Sequence, residues 1–244
     1  MSKPLRIAMW SGPRNISTAM MRAWENRGDC AVSDEPLYAA FLSDTGLDHP
    51  GRHEVIAAGE CDYKKVVSDL LGDVPGGHEI WYQKHMTHHL LSNYSRDWIP
   101  QLANILLIRD PSEVVASYVK SRATVTPEDI GIPQQRKLHD EIMVATGMAV
   151  PIIDAGDFLK SPRTYLLAIC EHLGIAFTDH MLHWPAGRRA SDGVWAPHWY
   201  AAVEASTGFE AWRARETSLT GDALKVAESC RMDYEFLYER RWIL

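Results

Sequence analysis

The sequence lacks most features of secreted, metal-binding and nucleic-acid-binding proteins. Its four cysteines include no Cys-x-x-Cys pair, so we expect reduced core thiols and neither a disulfide framework nor a metal site. Lys and Arg number 25 against 32 Asp and Glu, and this formal charge of -7 argues against nucleic acid as a partner, because binding a phosphate backbone needs a basic face. The first five residues form no apolar signal region, and no stretch is long enough to span a bilayer. We therefore expect a cytoplasmic protein that does not bind membranes, in which a local basic pocket is still permitted.

Short apolar runs alternate with helical patterns along the chain. Five runs predict strands at residues 6–10, 29–33, 79–84, 104–108 and 150–154, and helix-period residues predict helices at 17–26, 112–122 and 161–173. With 244 residues and 46% hydrophobic composition the chain can bury a full core, so we expect one domain over residues 1–244. The alternation predicts a three-layer α/β fold with a mostly parallel sheet, helices on both faces, and ligands beyond the carboxyl ends of the strands. Residues 44–59, 124–133 and 184–208 are rich in Gly, Pro, His and Asp and are predicted to be irregular lid or substrate loops.

The loop after the first predicted strand suits an anion. It contains, in order, Gly12, Pro13, Arg14, Asn15, Ile16, Ser17 and Thr18. Its backbone N–H groups, the positive end of the following helix and the two hydroxyls can converge on a phosphate. The Gly-Lys-Ser/Thr sequence of nucleoside triphosphatases is missing, and Arg14 supplies a guanidinium instead. The competing interpretation is a glycine turn whose Ser17 and Thr18 only cap the helix.

A second segment adds two polar side chains at another strand end. Arg109 follows the predicted strand at 104–108, and Ser117 comes eight residues later on the next predicted helix, with Ser112 and Glu113 as its cap and first-turn acid. Both Arg109 and Ser117 can reach one phosphate. Taken singly, Arg109 could pair with a surface carboxylate and Ser117 could be an ordinary helix residue.

Together the two segments resemble those of the sulfotransferases that use 3'-phosphoadenosine-5'-phosphosulfate (PAPS) and release PAP. In that family the first loop holds the 5'-phosphosulfate, and an Arg-x-Pro-x-Asp/Glu-Val-x-x-Ser segment holds the 3'-phosphate. The second segment is matched by Arg109, Pro111, Glu113, Val114 and Ser117. The first is matched by Pro13, Arg14, Ser17 and Thr18, with Asn15-Ile16 where the family has Ser-Gly. The resemblance covers residues 6–174 and implies a fold like that of the P-loop nucleoside triphosphate hydrolases.

The resemblance also implies catalytic residues. Sulfuryl transfer needs a base for the proton of the acceptor and positive charge for the sulfuryl oxygens, and Arg14 can supply that charge. Glu35, at the end of the second predicted strand, resembles the glutamate of the tyrosylprotein and bacterial glycolipid sulfotransferases and is the favoured base. Lys84 and His85 form the alternative set, because the cytosolic steroid-type enzymes use a histidine base and a lysine at the leaving oxygen. A plain solvated turn at Asp34-Glu35-Pro36 is the competing interpretation of the glutamate.

Beyond residue 174 the resemblance weakens. Family members close the nucleotide pocket with a basic, tryptophan-bearing loop near the C-terminus, and Arg188, Arg189, Gly193 and Trp195 could take that part here. Nothing in the sequence identifies the acceptor or the oligomeric state. We expect a small molecule with a hydroxyl or an amine.

Three other functions compete with sulfuryl transfer as interpretations of this sequence. A P-loop kinase of small molecules shares the strand-loop-helix arrangement, but the sequence lacks its Gly-Lys-Ser/Thr and a clear acid after a buried strand. A non-catalytic nucleotide-binding protein on the same fold would bind PAP without turnover. An aminotransferase would need a cofactor-bearing lysine inside a much longer two-domain chain.

Overall fold

Five parallel strands form the centre of the molecule. The computed structural model describes residues 4–122, 124–214 and 217–244, so the first three residues of the N-terminus lie outside it. Within these ranges the strands are β1 (Leu5–Ser11), β2 (Cys30–Asp34), β3 (Ile80–Met86), β4 (Ala103–Ile108) and β5 (Ile152–Asp154). They are hydrogen-bonded in the order β2-β3-β1-β4-β5, and each neighbouring pair is parallel. Every strand lies within two residues of its predicted position.

Helices follow most of the strands. They are α1 (Ser17–Glu25), α2 (Tyr38–Thr45), α3 (Arg52–Ala58), α4 (Tyr63–Leu71), α5 (Pro111–Tyr118), α6 (Pro127–Ile130), α7 (Ile132–Thr146), α8 (Ala155–Lys160), α9 (Pro162–His172), α10 (Ala196–Trp199), α11 (Ala201–Glu204), α12 (Gly221–Ser229) and α13 (Arg231–Glu239). Short 3-10 turns add Pro75–Gly77, Thr87–His89, Ile99–Gln101 and Asp179–Leu182. In the described residues, no helix combines the length and apolar character needed to cross a membrane.

The sheet has a hydrophobic layer on each face because successive strand residues point to opposite sides. Ala8 and Trp10 of β1 belong to the core that also receives α4, α5, α7, α12 and α13. Ile7 and Met9 belong to the core beneath α1, α8 and α9. This confirms the predicted three-layer α/β fold. The four cysteines are free thiols, and three of them are buried.

Several local predictions need correction. The stretches expected to be irregular contain helices: α3 in 44–59, α6 and the start of α7 in 124–133, and α10 and α11 in 184–208. Helix α5 ends at Tyr118, four residues before the predicted end. Its cap is Asp110, whose carboxylate accepts from the Ser112 N–H at 2.7 Å, and not Ser112 itself. Pro111 then occupies the first helical position, where a missing N–H is harmless.

The strand order determines where a ligand can bind. The chain leaves β1 toward β2 on one side, and later reaches β4 on the other, so β1 lies at the point where the strand order reverses. In open α/β sheets this reversal, beyond the carboxyl ends of the strands, is the usual place for a ligand. The loop after β1 and the residues after β2 and β4 lie at this end, as does the last part of β3.

Candidate active site

A cavity of about 820 Å³ opens at the carboxyl ends of the strands. The loop after β1 forms one wall, and the ends of β2, β3 and β4 form its floor. The start of α8 and residues 199–214 complete it from the C-terminal half. Of the residues predicted for the site, those that line the cavity are Pro13, Arg14, Asn15, Ile16, Ser17, Thr18, Glu35, Lys84, Arg109 and Ser117. The structure therefore brings together predicted site residues from Pro13 to Ser117, which are 104 positions apart in the chain.

Two arginines and a serine converge at one end of the cavity. The Arg14 Nε donates to Ser117 Oγ at 3.0 Å, and the Arg109 guanidinium donates to the Arg14 carbonyl oxygen. Arg109 also donates from Nε and Nη2 to Glu113 Oε2, at 3.0 and 2.8 Å. Burial, and then the charge of Arg109, lower the pKa of Arg14. A bound anion would offset both the burial of the Arg14 charge and its repulsion by Arg109, so this end of the cavity is suited to a phosphate or a sulfate group.

The loop itself is arranged around the side chain of Asn15. Its Nδ2 donates to the Leu107 carbonyl at 3.0 Å, and its Oδ1 accepts from the Ile16 N–H at 2.8 Å. Arg14 has a left-handed backbone with φ of 55°, which a non-glycine residue rarely adopts. The first N–H groups of α1, beginning at Ser17, have no acceptor within the helix and lie at the cavity wall. Asn15 thus fixes the conformation of the loop through these two hydrogen bonds.

Gly12 has a structural role outside the cavity. A Cβ at this position would lie 2.4 Å from the carbonyl oxygen of Ile130, closer than real Cβ contacts occur. Glycine is therefore required because the segment around α6 packs on the loop. The prediction that Gly12 contacts the cofactor is corrected: it lets the loop pack and does not line the cavity.

The other end of the cavity holds a buried network centred on Lys84. The Lys84 Nζ donates to Glu35 Oε1 at 2.7 Å, to Asp34 Oδ1 at 2.8 Å and to the Tyr200 hydroxyl at 2.6 Å. Strand pairing places Asp34 directly beside Lys84. The Glu35 N–H donates to the Lys84 carbonyl at 2.9 Å, and Glu35 has a left-handed backbone with φ of 45°. The turn after β2 is therefore held in an uncommon conformation that keeps the Glu35 carboxylate at the cavity, and it is not a plain solvated turn.

Burial and nearby charges set the ionisation of this network. Burial raises the pKa of Glu35, the Lys84 ammonium opposes that rise, and the Asp34 charge adds to it, leaving the pKa above its ordinary value. Burial alone would lower the pKa of Lys84, but the charges of Asp34 and Glu35 outweigh it and hold the pKa well above the ordinary value. Lys84 is thus a fixed cation, and Glu35 is a carboxylate with an increased affinity for a proton. A raised pKa is what a general base at neutral pH needs.

Two histidines of the 3-10 turn after β3, His88 and His89, also line the cavity. The His89 ring stacks on Tyr38 at 4.5 Å, and its Nδ1 lies 4.0 Å from Glu35 Oε2. Burial lowers the pKa of His88 to about 3 and that of His89 well below the ordinary value. Both rings are therefore neutral at physiological pH. The sequence feature that could have identified these two histidines is their position one turn beyond the end of a predicted strand.

The structure separates Lys84 from His85. Successive residues of a strand point to opposite faces, and the His85 ring stacks on Trp10 at 4.3 Å in the core behind the sheet. Its Nε2 is 3.3 Å from Gln83 Oε1. The alternative in which His85 is the base and Lys84 contacts the leaving oxygen is therefore corrected: Lys84 lines the cavity, but His85 does not.

Arg189 and Trp195 also lie outside the cavity. The Arg189 Nη2 donates to the Pro185 carbonyl at 3.0 Å, and its Nε lies 3.9 Å from Glu25 Oε2, so this side chain contacts its own loop and helix α1. Trp195 is buried, and its Nε1 donates to the Tyr200 hydroxyl at 3.1 Å. It therefore helps to fix the hydroxyl that accepts from Lys84. From the C-terminal half of the chain, Trp199, Trp212 and Arg213 line the cavity instead, all later in the chain than predicted.

Comparison with models of protein families identifies the family of this chain. A family model described as a sulfotransferase domain matches residues 5–230. The chain belongs to the sulfotransferase domain family. The match spans β1 to the end of α12 and so includes every residue of the cavity named above.

Two curated proteins and one solved structure are similar to this chain. Two curated proteins of Arabidopsis thaliana are 36% identical to this sulfotransferase-family chain, over 209 and 203 residues: Branched-chain-amino-acid aminotransferase-like protein 1 and protein 2. The matches cover 86% and 83% of this chain, which spans only 37% and 36% of those relatives. A crystal structure of a sulfotransferase from Alicyclobacillus acidocaldarius superposes with a TM-score of 0.59 at 11% identity, covering 100% of this chain and 98% of that one. This likeness concerns the fold.

Proposed function

We propose that this protein transfers a sulfuryl group from PAPS to the hydroxyl or amine of a small molecule, with Glu35 as the base. The observation that carries the proposal is the pairing, within one cavity, of the Arg14, Arg109 and Ser117 anion site with the buried Glu35 carboxylate. Membership of the sulfotransferase domain family supports it.

The donor would bind at the arginine end of the cavity. Arg14 has no carboxylate partner among the described residues, and it lies beside a second guanidinium, so the residues fit an anionic ligand. Arg109 and Ser117 would hold the 3'-phosphate, and Arg14 with the first N–H groups of α1 would hold the 5'-phosphosulfate. PAPS supplies an activated sulfuryl group on a phosphosulfate anhydride. Arg14 would stabilise the negative charge on the sulfuryl oxygens and on the departing phosphate.

Glu35 would take the proton of the acceptor. Its Oε1 is fixed by Lys84, while its Oε2 lies beside the neutral Nδ1 of His89 at 4.0 Å. The Glu35 side chain is 11% exposed, so it can reach a group in the cavity. As the acceptor oxygen or nitrogen bonds to sulfur, its proton would move to Glu35. His49, His88 and Tyr38 would form the surrounding wall, which is aromatic and uncharged at neutral pH.

The names of the two plant relatives raise the possibility of aminotransferase chemistry, and the described cavity does not favour it. A lysine that forms a Schiff base must lose its proton, which a lowered pKa assists. Lys84 is the lysine that lines the cavity, and two carboxylates hold its pKa well above the ordinary value. The aminotransferase-like names describe whole proteins of which this chain matches little more than a third.

Titration calorimetry with PAP tests the donor. We expect the wild-type protein to bind PAP with micromolar affinity without added metal, Arg109→Ala to lose most of that affinity, and Glu35→Gln to keep it. The Glu35→Gln variant is the matched control, because it alters the other end of the same cavity. Binding of Mg-ATP in preference to PAP would contradict the proposal and favour a kinase.

Turnover distinguishes an enzyme from a non-catalytic binding protein. Radiolabelled PAPS would be incubated with panels of alcohols, phenols, amines and sugars, and transfer would be measured for wild type and Glu35→Gln. Loss of a general base reduces such rates about 100-fold to 10,000-fold. Equal transfer by both proteins would remove Glu35 from the mechanism. PAP binding without transfer to any acceptor would favour the non-catalytic alternative.

A further inference from the structure

We propose that Tyr200 and Asp34 are positioning residues that hold Lys84 on Glu35, so that the C-terminal segment of the chain controls the position and charge of the base. The part played by Glu35 rests on the proposed function. The linkage itself rests on hydrogen bonds between residues that are up to 166 positions apart in the chain.

The first step of the argument is that Lys84 has no spare donor. An ammonium group has three N–H bonds. Glu35, Asp34 and the Tyr200 hydroxyl each accept one of them, at 2.6 to 2.8 Å. The Lys84 side chain is 1% exposed. Lys84 therefore cannot bond to a ligand in the cavity without giving up a partner, and its effect on the reaction passes through Glu35.

The second step is the position of the tyrosine proton. Lys84 Nζ and Trp195 Nε1 both donate to the Tyr200 oxygen, at 2.6 and 3.1 Å. The single hydroxyl proton must then be donated to Asp34, whose two carboxylate oxygens lie at 2.9 and 2.7 Å. Asp34 also accepts from the Gly193 N–H at 3.1 Å. The hydrogen bonds from Tyr200 and Gly193 thus stabilise the Asp34 carboxylate. Because Asp34 then depends less on Lys84, the Lys84 ammonium can stabilise the Glu35 carboxylate.

The third step connects this network to the C-terminal segment. Gly193, Trp195 and Tyr200 all belong to residues 184–208, whereas Asp34 and Lys84 are at strand ends. A Cβ at position 193 would lie 2.2 Å from the Trp195 ring, so glycine is required for this packing. The same segment is fixed to α1 by a buried ion pair between Asp192 and Arg22. When residues 184–208 are packed in this position, the Tyr200 hydroxyl and the Gly193 N–H both donate to Asp34.

The groups that face Glu35 come from four parts of the chain. They are Lys84 of β3, Asp34 of β2, His89 of the turn after β3, and Tyr200 of the C-terminal segment. Tyr38 of α2 lies behind His89. Without the Tyr200 hydroxyl, the Asp34 carboxylate would attract the Lys84 ammonium more strongly, and the Glu35 carboxylate would be stabilised less. The pKa of Glu35 should then rise further.

The test measures the ionisation of Glu35 directly and needs no acceptor. Infrared titrations would be recorded for the full chain and for Tyr200→Phe, each subtracted from the same protein carrying Glu35→Gln, so that only the Glu35 carboxyl bands remain. We expect Tyr200→Phe to raise the Glu35 titration midpoint by roughly one pH unit. Amide hydrogen exchange at residues 193–204 should become about tenfold faster, because one strong hydrogen bond is lost.

Two further variants keep the test decisive. Tyr234→Phe is the matched control, because it removes a hydroxyl that donates to another buried carboxylate, Asp154 Oδ2 at 3.0 Å, outside the cavity. It should leave the Glu35 midpoint unchanged. Asp34→Asn removes the negative charge beside Glu35, which raises the pKa of that carboxyl, and should therefore lower the Glu35 midpoint, the opposite direction. An unchanged Glu35 titration midpoint in Tyr200→Phe overturns the proposal, whatever the amide hydrogen exchange rates show. PAP binding by the wild type tests the proposed function separately.

Discussion

Arg14 and Ser117 are joined by a 3.0 Å hydrogen bond between the arginine Nε and the serine Oγ, across 103 positions of the chain. The bond connects the loop after β1 to helix α5. It fixes one edge of the Arg14 guanidinium and leaves its terminal nitrogens for another acceptor, for which the described residues provide no carboxylate. Ser117 therefore both positions the arginine and lies beside Arg109 at the place where an anion would bind.

Replacing Ser117 by Ala should weaken PAP binding. Hydrogen bonds to charged groups are worth about 1.5 to 3 kcal/mol, so the affinity should fall roughly tenfold to a hundredfold in titration calorimetry. Ser112→Ala is the matched control on the same helix, because the Ser112 hydroxyl accepts from Arg231 at 2.8 Å away from the cavity. An equal loss in both variants would mean that helix α5, and not the Ser117 hydroxyl, was responsible.

Lys84→Met should destabilise the protein in a pH-dependent way. Removing the cation leaves Asp34 and Glu35 buried without their partner, which typically costs about 3 to 5 kcal/mol. Protonation of either carboxyl relieves the repulsion, so the deficit relative to wild type should be largest at neutral pH and shrink as the pH falls. Urea unfolding at several pH values measures it.

Lys65→Met serves as the comparison for Lys84→Met, because it removes a lysine whose side chain is 64% exposed and pairs with Glu60 at the surface. Such pairs contribute about 0 to 1 kcal/mol. A Lys84→Met deficit that stayed constant with pH would contradict the account of two carboxylates sharing one ammonium.

The strand pattern and the two segments that follow β1 and β4 were predictable because each depends on residues close together in the chain. The face on which a strand residue lies was also available: a period of two puts Lys84 and His85 on opposite sides. Helix α7 was missed because Pro133 suggested a loop, although proline is favoured in the first turn of a helix. Tyr200 could not be predicted, because its link to Asp34 depends on how residues 184–208 pack and not on any local spacing.

His85 should make the protein acid-sensitive. Burial lowers its pKa to about 3, whereas an unfolded histidine titrates near 6.5, so the unfolded state binds the extra proton first as the pH falls. The His85 contribution to stability is therefore complete above about pH 6.5 and is lost at about 1.4 kcal/mol per pH unit below it. His85→Phe keeps a ring against Trp10 but cannot titrate. In urea unfolding between pH 6 and 4, roughly, its free energy of unfolding should fall less steeply than that of wild type by this amount. Parallel curves would contradict the prediction.

Asp192→Ala should both destabilise the protein and loosen the segment that carries Tyr200. The Asp192 and Arg22 side chains are fully buried and paired at two points, with Nη1 to Oδ1 at 2.6 Å and Nη2 to Oδ2 at 2.7 Å. Removing the carboxylate leaves a buried guanidinium without its partner, so urea unfolding should show a loss of about 3 to 5 kcal/mol. Asp179→Ala breaks an exposed pair with Arg163 and should change the unfolding free energy by less than about 1 kcal/mol.

The double variant Arg22→Met/Asp192→Leu separates the ion pair from the packing around it. Apolar side chains of similar volume often replace a buried ion pair with little or no loss of stability, so most of the Asp192→Ala deficit should be recovered. Hydrogen exchange then shows what the ion pair does for the active site. If residues 184–208 exchange as slowly in the double variant as in wild type, packing between α1 and the segment is enough to hold Tyr200 on Asp34. If exchange stays fast while stability is recovered, the hydrogen bonds of Asp192, to Arg22 and to the Arg189 N–H at 2.8 Å, hold the segment in place, because the double variant removes them.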